Sequence, residues 1–522
     1  MSLSFTNTPA TRGAARGLIP LCAGAGTYLF FLFAGDQLLR DSDTFWQIKV
    51  GQWIVDHRAV PYSDFYSLVR FGKPWISTEW LSQVLYAGAY SSLGWAGTVI
   101  LASLGIAATV AVFVYLLDEH LAPVRSVLLA ILALLLSMQH LLARPHILAL
   151  PVMVAWVGAL MTAADRHACP SFLLLPLMAL WANLHGSFVF GLALIAPIAL
   201  EALWAAERQR RVALAARWAS FAVGALAASC CTPYGWDTLL GVMRILDLGR
   251  LLSLISEWQP ANFSSFGFFE ASLLGLIGFA FFRGLVLSFP RIVLLLGLIW
   301  MALTHIRNIE IFAFLVPLVL VKPVVDQLGW RDIDPKTRSQ PLVTIFAAAI
   351  IAIAGWGSTI AYMAHHRFAF TATQMPVAAV DLLKHRHIQR VFNSYQFGGY
   401  LISRGIKPFI DGRAELYGEK FVMEFFDAVE ARNVDDLLRM LDHYRIDATL
   451  LVATSPAAQV LDHIPGWQRI YADKVAVIFV RTNRTAQRGG TASSFRLSDL
   501  RGAETTGGSD ANSASAPTAP GP

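Results

Sequence analysis

The sequence predicts an all-α polytopic membrane domain of about eleven transmembrane helices, followed by a small α/β extracytoplasmic domain. Three observations carry that expectation. Of the 522 residues, 15% are charged and 56% hydrophobic, against roughly 25% and 45–50% in soluble domains. The apolar residues are gathered into runs of membrane length, and beyond residue 375 those runs give way to short strand-like and helix-like segments. The balance of 41 Lys and Arg against 35 Asp and Glu is what cytoplasmic loops require and calls for no nucleic-acid partner.

Residues 1–17, with Arg12 and Arg16, read as a cytoplasmic N-terminus, and the run from Leu18 to Ala34 as an uncleaved signal-anchor helix. The membrane domain is expected over 18–364, with apolar runs near 18–38, 95–117, 124–142, 146–163, 170–184, 187–205, 212–231, 267–283, 288–304, 307–321 and 342–364. Cys22, Cys169, Cys230 and Cys231 lie in or beside these runs without CxxC spacing and read as packing residues.

Segment 79–93 is apolar enough to raise the question of a further span, and loop charge decides it. With that segment left out and the N-terminus cytoplasmic, Arg125, Arg166, Arg208, Arg210, Arg211, Arg283, Arg291 and the stretch from Lys322 to Arg338 all fall inside. The same parity puts Asp41, Asp43, Arg144, His146, Asn183, His185, Thr232, Tyr234, Glu257, Trp258, His305, Arg307, Asn308 and Glu310 outside. Ionisable groups at helix ends are costly unless they face water or one another, so this collection is a site hypothesis. The bland alternative makes the arginines interfacial anchors and the histidines packing residues.

The first outer loop, 39–94, begins Asp41-Ser42-Asp43-Thr44-Phe45-Trp46. Phe45, Ile48, Val50, Trp53, Ile54 and Val55 fit an amphipathic helix on the membrane surface, capped by Ser42 or Asp43. Turns follow at Pro61 to Ser67 and at Gly72-Lys73-Pro74-Trp75, before a helix opening Glu79-Trp80-Leu81. A carboxylate at 41 or 43 suits three roles: a general base for an acceptor hydroxyl, a ligand of a divalent metal, or a helix cap.

This order of features resembles the GT-C superfamily of membrane glycosyltransferases, which includes protein O-mannosyltransferases, oligosaccharyltransferases and aminoarabinose transferases. Asp41 and Asp43 match the acidic motif after the first helix. The 72–75 turn and Glu79-Trp80-Leu81 sit where a Pro-containing turn and the next apolar helix are expected. The wording is also similar to a bacterial GT-C-like group with an Asp-x-Asp-x-x-Trp start, although Ser42 here separates two acids that are often adjacent. The resemblance covers about residues 18–325. It implies transfer of a sugar from a polyprenyl-phosphate-linked donor to a saccharide, lipid or protein acceptor, on the periplasmic face of a bacterial inner membrane. Asp43 would be the base, and Asp41 its partner or a metal ligand; the cofactor is left unknown, a divalent cation being compatible with the acidic pair.

Other outer-face groups supply substrate-binding candidates. Arg144 and His146 flank Pro145 at a helix start, and Arg307 lies in the polar junction from Thr304 to Glu310; either arginine suits a lipid phosphate. The bland reading pairs Arg307 with Glu310 and leaves Arg144 at headgroups. His185, in a junction of hardly any length, binds substrate, moves a proton or is hydrogen-bonded structure. Glu257 ends the longest internal outer loop as a second acid or metal ligand, and His305 stands beside Arg307. The competing function is a non-catalytic transporter or binding protein for lipid-linked saccharides, but neither repeated motifs nor midplane polar groups favour it.

The domain expected over 376–484 carries strand-like segments at 390–394, 407–411, 448–452 and 475–480, and helical spacing at 381–385 and 434–444. Tyr395 to Tyr400 and Asp411 to Gly418 combine glycine turns with aromatic and charged groups suited to carbohydrate, or, for Asp411 and Arg413, to an internal ion pair. Residues 485–522 have the composition of a disordered tail.

Overall fold

The computed structural model describes residues 9–246, 248–249, 255–330, 341–370 and 375–482. The tail expected over 485–522, the first eight residues and part of the basic stretch after Lys322 lie outside the described residues.

The membrane region is built from α1 (Pro9–Phe33), α2 (Asp43–His57), α3 (Trp80–Leu93), α4 (Trp95–Leu117), α5 (Pro123–Ser137), α6 (Pro145–Asp165), α7 (Leu175–Leu184), α8 (Phe188–Ala205), α9 (Arg211–Ser229), α10 (Asp237–Leu246), α11 (Phe268–Arg283), α12 (Phe289–Thr304), α13 (Ile309–Leu328) and α14 (Pro341–His365). Each apolar run of the sequence carries a helix. Among the described residues, six segments are long and apolar enough to cross a membrane: Trp95–Leu117, Pro145–Asp165, Phe188–Ala205, Arg211–Ser229, Ile306–Leu328 and Thr344–His365. Gly17–Phe33, Pro123–Ser137, Phe172–Leu184 and Phe289–Thr304 are shorter apolar helices. The chain is a multi-pass membrane protein. Helices α4, α6 and α13 form its interior, where Phe113, Trp156 and Phe314 are fully buried, while Phe281, Phe282, Trp300 and Ile353 remain exposed on the outside of the bundle, as lipid-facing residues are.

Two ion clusters mark opposite ends of the bundle. At one end Arg291, at the start of α12, bonds Asp165 at the end of α6 (2.6 Å) and Glu201 near the end of α8 (3.1 Å). The other end gathers the start of α2, the start of α6, the α7–α8 junction and the α12–α13 junction. Alternation of helix direction produces that separation.

Helix α2 differs from the expected surface helix. It is wedged between α3 and the C-terminal domain, with Trp46, Ile48, Val50 and Ile54 buried and Val55 exposed. Gly51 permits the approach, since a Cβ there would stand 2.0 Å from the Gln83 carbonyl oxygen. Capping differs too: Asp41 Oδ1 accepts the Asp43 backbone N–H (2.8 Å), so the Asp43 carboxylate is not used as a cap.

The C-terminal domain is α/β. Its helices are α15 (Val377–His385), α16 (Gly398–Ser403), α17 (Ala414–Tyr417), α18 (Glu419–Val429), α19 (Val434–His443) and α20 (Pro456–Leu461). Strands β1 (Val391–Asn393), β2 (Ala448–Val452), β3 (Trp467–Ala472) and β4 (Ala476–Arg481) form one sheet in the order β1-β2-β4-β3. β1 and β2 are parallel; the other pairs are antiparallel. The strand expected at 407–411 is absent as a strand. Pro408 has no N–H for a ladder, and the Asn393 side chain instead accepts from Phe409 N (2.7 Å) and donates to Ile410 O (2.9 Å). Strand β3, which the sequence reading missed, is an edge strand of mixed exposure and lacks the apolar run that marks β2 and β4.

Candidate functional site

A chamber of about 570 Å³ opens where the gathered helix ends meet the C-terminal domain. Its wall includes Asp41, Asp43, Glu79, Arg144, His146, His185, Glu257, Arg307 and Glu310 from the membrane region, and Tyr395, Gln396, Gly412, Arg413 and Glu415 from the C-terminal domain. Of the residues singled out in the sequence, Asp41, Asp43, Arg144, His146, His185, Glu257 and Arg307 are brought together. His305 is not among the lining residues: its Nδ1 bonds the Trp258 carbonyl (2.7 Å) and its ring packs edge-on against that indole. A junction that is polar throughout does not reveal in one dimension which member points inward.

Local structure places the acidic motif. The 3-10 turn Gly35–Leu38 breaks the chain out of the first helix, Ala143 N donates to Leu38 O (2.9 Å), and Thr44 Oγ1 donates to Ala143 O (3.0 Å). The start of α2 is thereby fastened beside the residue preceding Arg144. Pro145 then opens α6, and Tyr86 Oη donates to the Arg144 carbonyl (3.1 Å).

The Arg144 guanidinium is shared among three carboxylates. Nη1 reaches Asp41 Oδ2 (2.9 Å) and Glu257, and Nη2 reaches Asp43 Oδ2 (2.9 Å). Both terminal nitrogens are therefore engaged by carboxylates, whereas the sequence reading expects this arginine to grip a lipid phosphate. Arg307 does not pair with Glu310 either; its guanidinium lies over the Trp258 ring, 4.4 Å from the centroid, at the chamber wall.

The environments push the acids apart. Burial, reinforced by the Asp41 charge, raises the Asp43 carboxyl to about 7, whereas the Arg144 charge holds Glu257 down at about 2. Divergence of this kind marks acid–base sites.

A second pair lies beside this one. His185 Nδ1 accepts the Ser187 backbone N–H (3.1 Å), so the proton of a neutral ring sits on Nε2 and points at Glu79 Oε1 (3.1 Å). Gln47 Nε2 donates to the other Glu79 oxygen (2.8 Å), Gln83 Nε2 donates to Gln47 Oε1 (2.6 Å), and Ser77 Oγ donates to Gln83 Oε1 (2.7 Å). Burial opposes ionisation of Glu79, but His185 and Gln47 outweigh it and hold its carboxyl below the ordinary value. Glu79 was missed as a site residue; an acidic residue directly before an apolar helix was the available signal. His146 is held through Nε2 to the His140 carbonyl (2.8 Å).

The C-terminal domain reaches the acidic motif directly. A Cβ on Gly412 would stand 2.2 Å from Asp43 Oδ1, and one on Gly399 would stand 2.2 Å from the Ser42 carbonyl oxygen. Beside this contact Arg413, wholly buried, bonds Asp64 of the first loop (2.6 Å) and Asp411 (2.7 Å), and its guanidinium faces the Trp75 ring at 4.8 Å. The internal pair Asp411–Arg413 is thus part of a joint between domain and loop. Trp75 Nε1 adds a bond to Glu415 (3.0 Å).

The donor set bears on a divalent cation. Asp41, Asp43 and Glu257 are suitable hard ligands in type, but all three already meet one guanidinium. The guanidinium already stands between their oxygens, and among the described residues no group of three or more Asp, Glu, His or Cys side chains is arranged to hold a metal ion. As built, the set does not fit a divalent ion.

No family model matches the sequence, and no curated protein does. Among solved structures, the chain is similar to the archaeal oligosaccharyltransferase AglB from Archaeoglobus fulgidus, in complex with an inhibitory peptide and a dolichol-phosphate. The TM-score is 0.53 over 89% of this chain and 74% of that one, at 11% identity. An oligosaccharyltransferase from the same organism, complexed with Zn and sulfate, aligns with a TM-score of 0.43 over 88% of this chain and 73% of that one, at 12% identity. The GT-C resemblance read from the sequence therefore holds as a shared fold.

Proposed function

We propose that this chain is a glycosyltransferase of a bacterial inner membrane, with about eleven crossings and its chamber and C-terminal domain on the periplasmic face. It moves a sugar from a polyprenyl-phosphate-linked donor to a saccharide, lipid or protein acceptor. The observation that carries the reading is the Asp43 carboxylate: on the chamber wall, spared from capping, and raised to about 7, where a base can both accept and hold a proton near neutrality. The shared fold with a protein bound to a dolichol-phosphate supports a lipid-phosphate donor.

In the proposed reaction Asp43 takes the proton of the acceptor hydroxyl as its oxygen bonds the anomeric carbon. The bond from that carbon to the phosphate oxygen breaks, and the electron pair leaves with the lipid phosphate. Arg307, whose guanidinium has no carboxylate partner among the described residues, receives that anion, with His146 on the same wall. Arg144 steadies the acidic pair. Positive charge in the loops opposite the chamber, Arg208 to Arg211 among them, supports the orientation.

Mass spectrometry of lipid co-purified with the protein, followed by transfer from that donor in proteoliposomes, tests the reading. Wild type is expected to carry a polyprenyl-phosphate sugar and to release its sugar to an acceptor. Asp43→Asn is expected to retain the lipid and lose transfer by about 100-fold or more. Undiminished transfer by a folded Asp43→Asn chain would remove Asp43 as the base.

A further inference from the structure

Three carboxylates from two distant parts of the chain converge on one guanidinium: Asp41 before α2 and Asp43 at its first turn, and Glu257 from the loop preceding α11. A hard divalent ion would ordinarily be expected at such a convergence of oxygens. The guanidinium that stands there is held from several sides. The Arg144 carbonyl receives Tyr86 Oη, Pro145 starts α6 directly behind it, and Ala143 is bonded through both N–H and C=O to the segment carrying the acids. The nearby imidazoles are engaged elsewhere, His146 with the His140 carbonyl and His185 with Glu79.

From this geometry we infer that Arg144 is a built-in cation: its guanidinium occupies the place of a divalent metal among Asp41, Asp43 and Glu257, and the site works without one. The role of that cation in catalysis rests on the transferase reading above; its exclusion of metal does not. Unlike an exchangeable ion, an arginine keeps its charge at every accessible pH and holds the two acids of the motif in fixed positions through separate nitrogens.

The converse follows: with the guanidinium removed, three carboxylates face one small gap, and the site becomes a metal site. The test uses the full-length detergent-solubilised protein and Mn²⁺ alone, with bound ion read from loss of the free-ion electron paramagnetic resonance signal. Wild type is expected to leave millimolar Mn²⁺ unbound at this site. Arg144→Ala is expected to gain saturable binding of one ion per chain, weakened about tenfold or more when Asp41→Asn is added. Arg144→Gln, longer and still polar, serves where Arg144→Ala does not elute as a folded species. Saturable binding to wild type that Asp41→Asn abolishes would overturn the inference, as would a folded Arg144→Ala or Arg144→Gln chain that binds no Mn²⁺. Because the readout is ion binding, failure here is distinct from failure of the transferase reading.

Discussion

Asp43 is placed under two opposing influences, and their balance sets its behaviour. Burial and the Asp41 charge favour its neutral form, while Arg144 favours the anion; the outcome is a carboxyl at about 7. As the proposed base it must be ionised, so the rate is expected to rise with pH through about 7 and level off above, measured as the pH profile of kcat/KM. Glu257→Gln should move that limb to lower pH: it removes a negative charge that raises Asp43 and releases Arg144 to it. The same shift has a stability sign. A carboxyl raised in the folded state favours folding at low pH, and that contribution is lost as pH rises from the unfolded value near 4 through about 7. Asp43→Asn should therefore unfold at a temperature no lower than wild type at about pH 8, while losing transfer. Glu257 has the opposite sign: its stabilisation is present above about 4.5 and lost as pH falls towards 2. Gly412 is the remaining control at this scale. Gly412→Ala forces a methyl group against the Asp43 carboxylate, and at least a tenfold loss of activity without loss of folding is expected, read by transfer and thermal unfolding together.

The joint between the first loop and the C-terminal domain is an ion triad under aromatic cover. Asp64 also accepts the backbone N–H of Tyr66 (3.1 Å) and Ser67 (3.0 Å), and Asp411 accepts the Tyr417 hydroxyl (2.7 Å). Every member is thus hydrogen-bonded, the condition under which a buried ion cluster is tolerated. Arg413→Met would leave two buried carboxylates without their cation, at a cost of about 3–5 kcal/mol. The expected result is a lower melting temperature and new proteolytic cleavage between α14 and α16, with the membrane helices still protected. Helix α2 is the element that this joint protects: it is clamped by α3 on one side and α16 on the other, so the acidic motif at its first turn is positioned by two separate parts of the chain.

For the whole molecule, the decisive feature is that polar hairpin ends are segregated. The chamber lies at one end of the bundle and the Asp165–Arg291–Glu201 cluster at the other. A background with all four cysteines replaced, carrying single cysteines at the exposed Arg208 or Glu430, gives a direct check in oriented vesicles. The membrane-impermeant thiol reagent is expected to label residue 430 from the periplasmic side and residue 208 only after the membrane is opened. Labelling of both from one side would contradict the proposed orientation.

Hydrophobic run length places the helices, because in a membrane the backbone must satisfy itself within each segment; loop charge then puts Asp41, Asp43, Arg144, His146, His185, Glu257, His305 and Arg307 on one side. The order of motifs in the first loop was sufficient to suggest the GT-C fold. What the sequence could not supply was partnership. That Arg144 belongs to the carboxylates and Arg307 to Trp258, that His305 turns away, that Glu79 takes up His185, and that Gly412 presses on Asp43 all depend on side-chain directions at junctions brought together from distant parts of the chain. Local propensity acts over a few residues, whereas these pairings span up to several hundred, so only packing in three dimensions decides them.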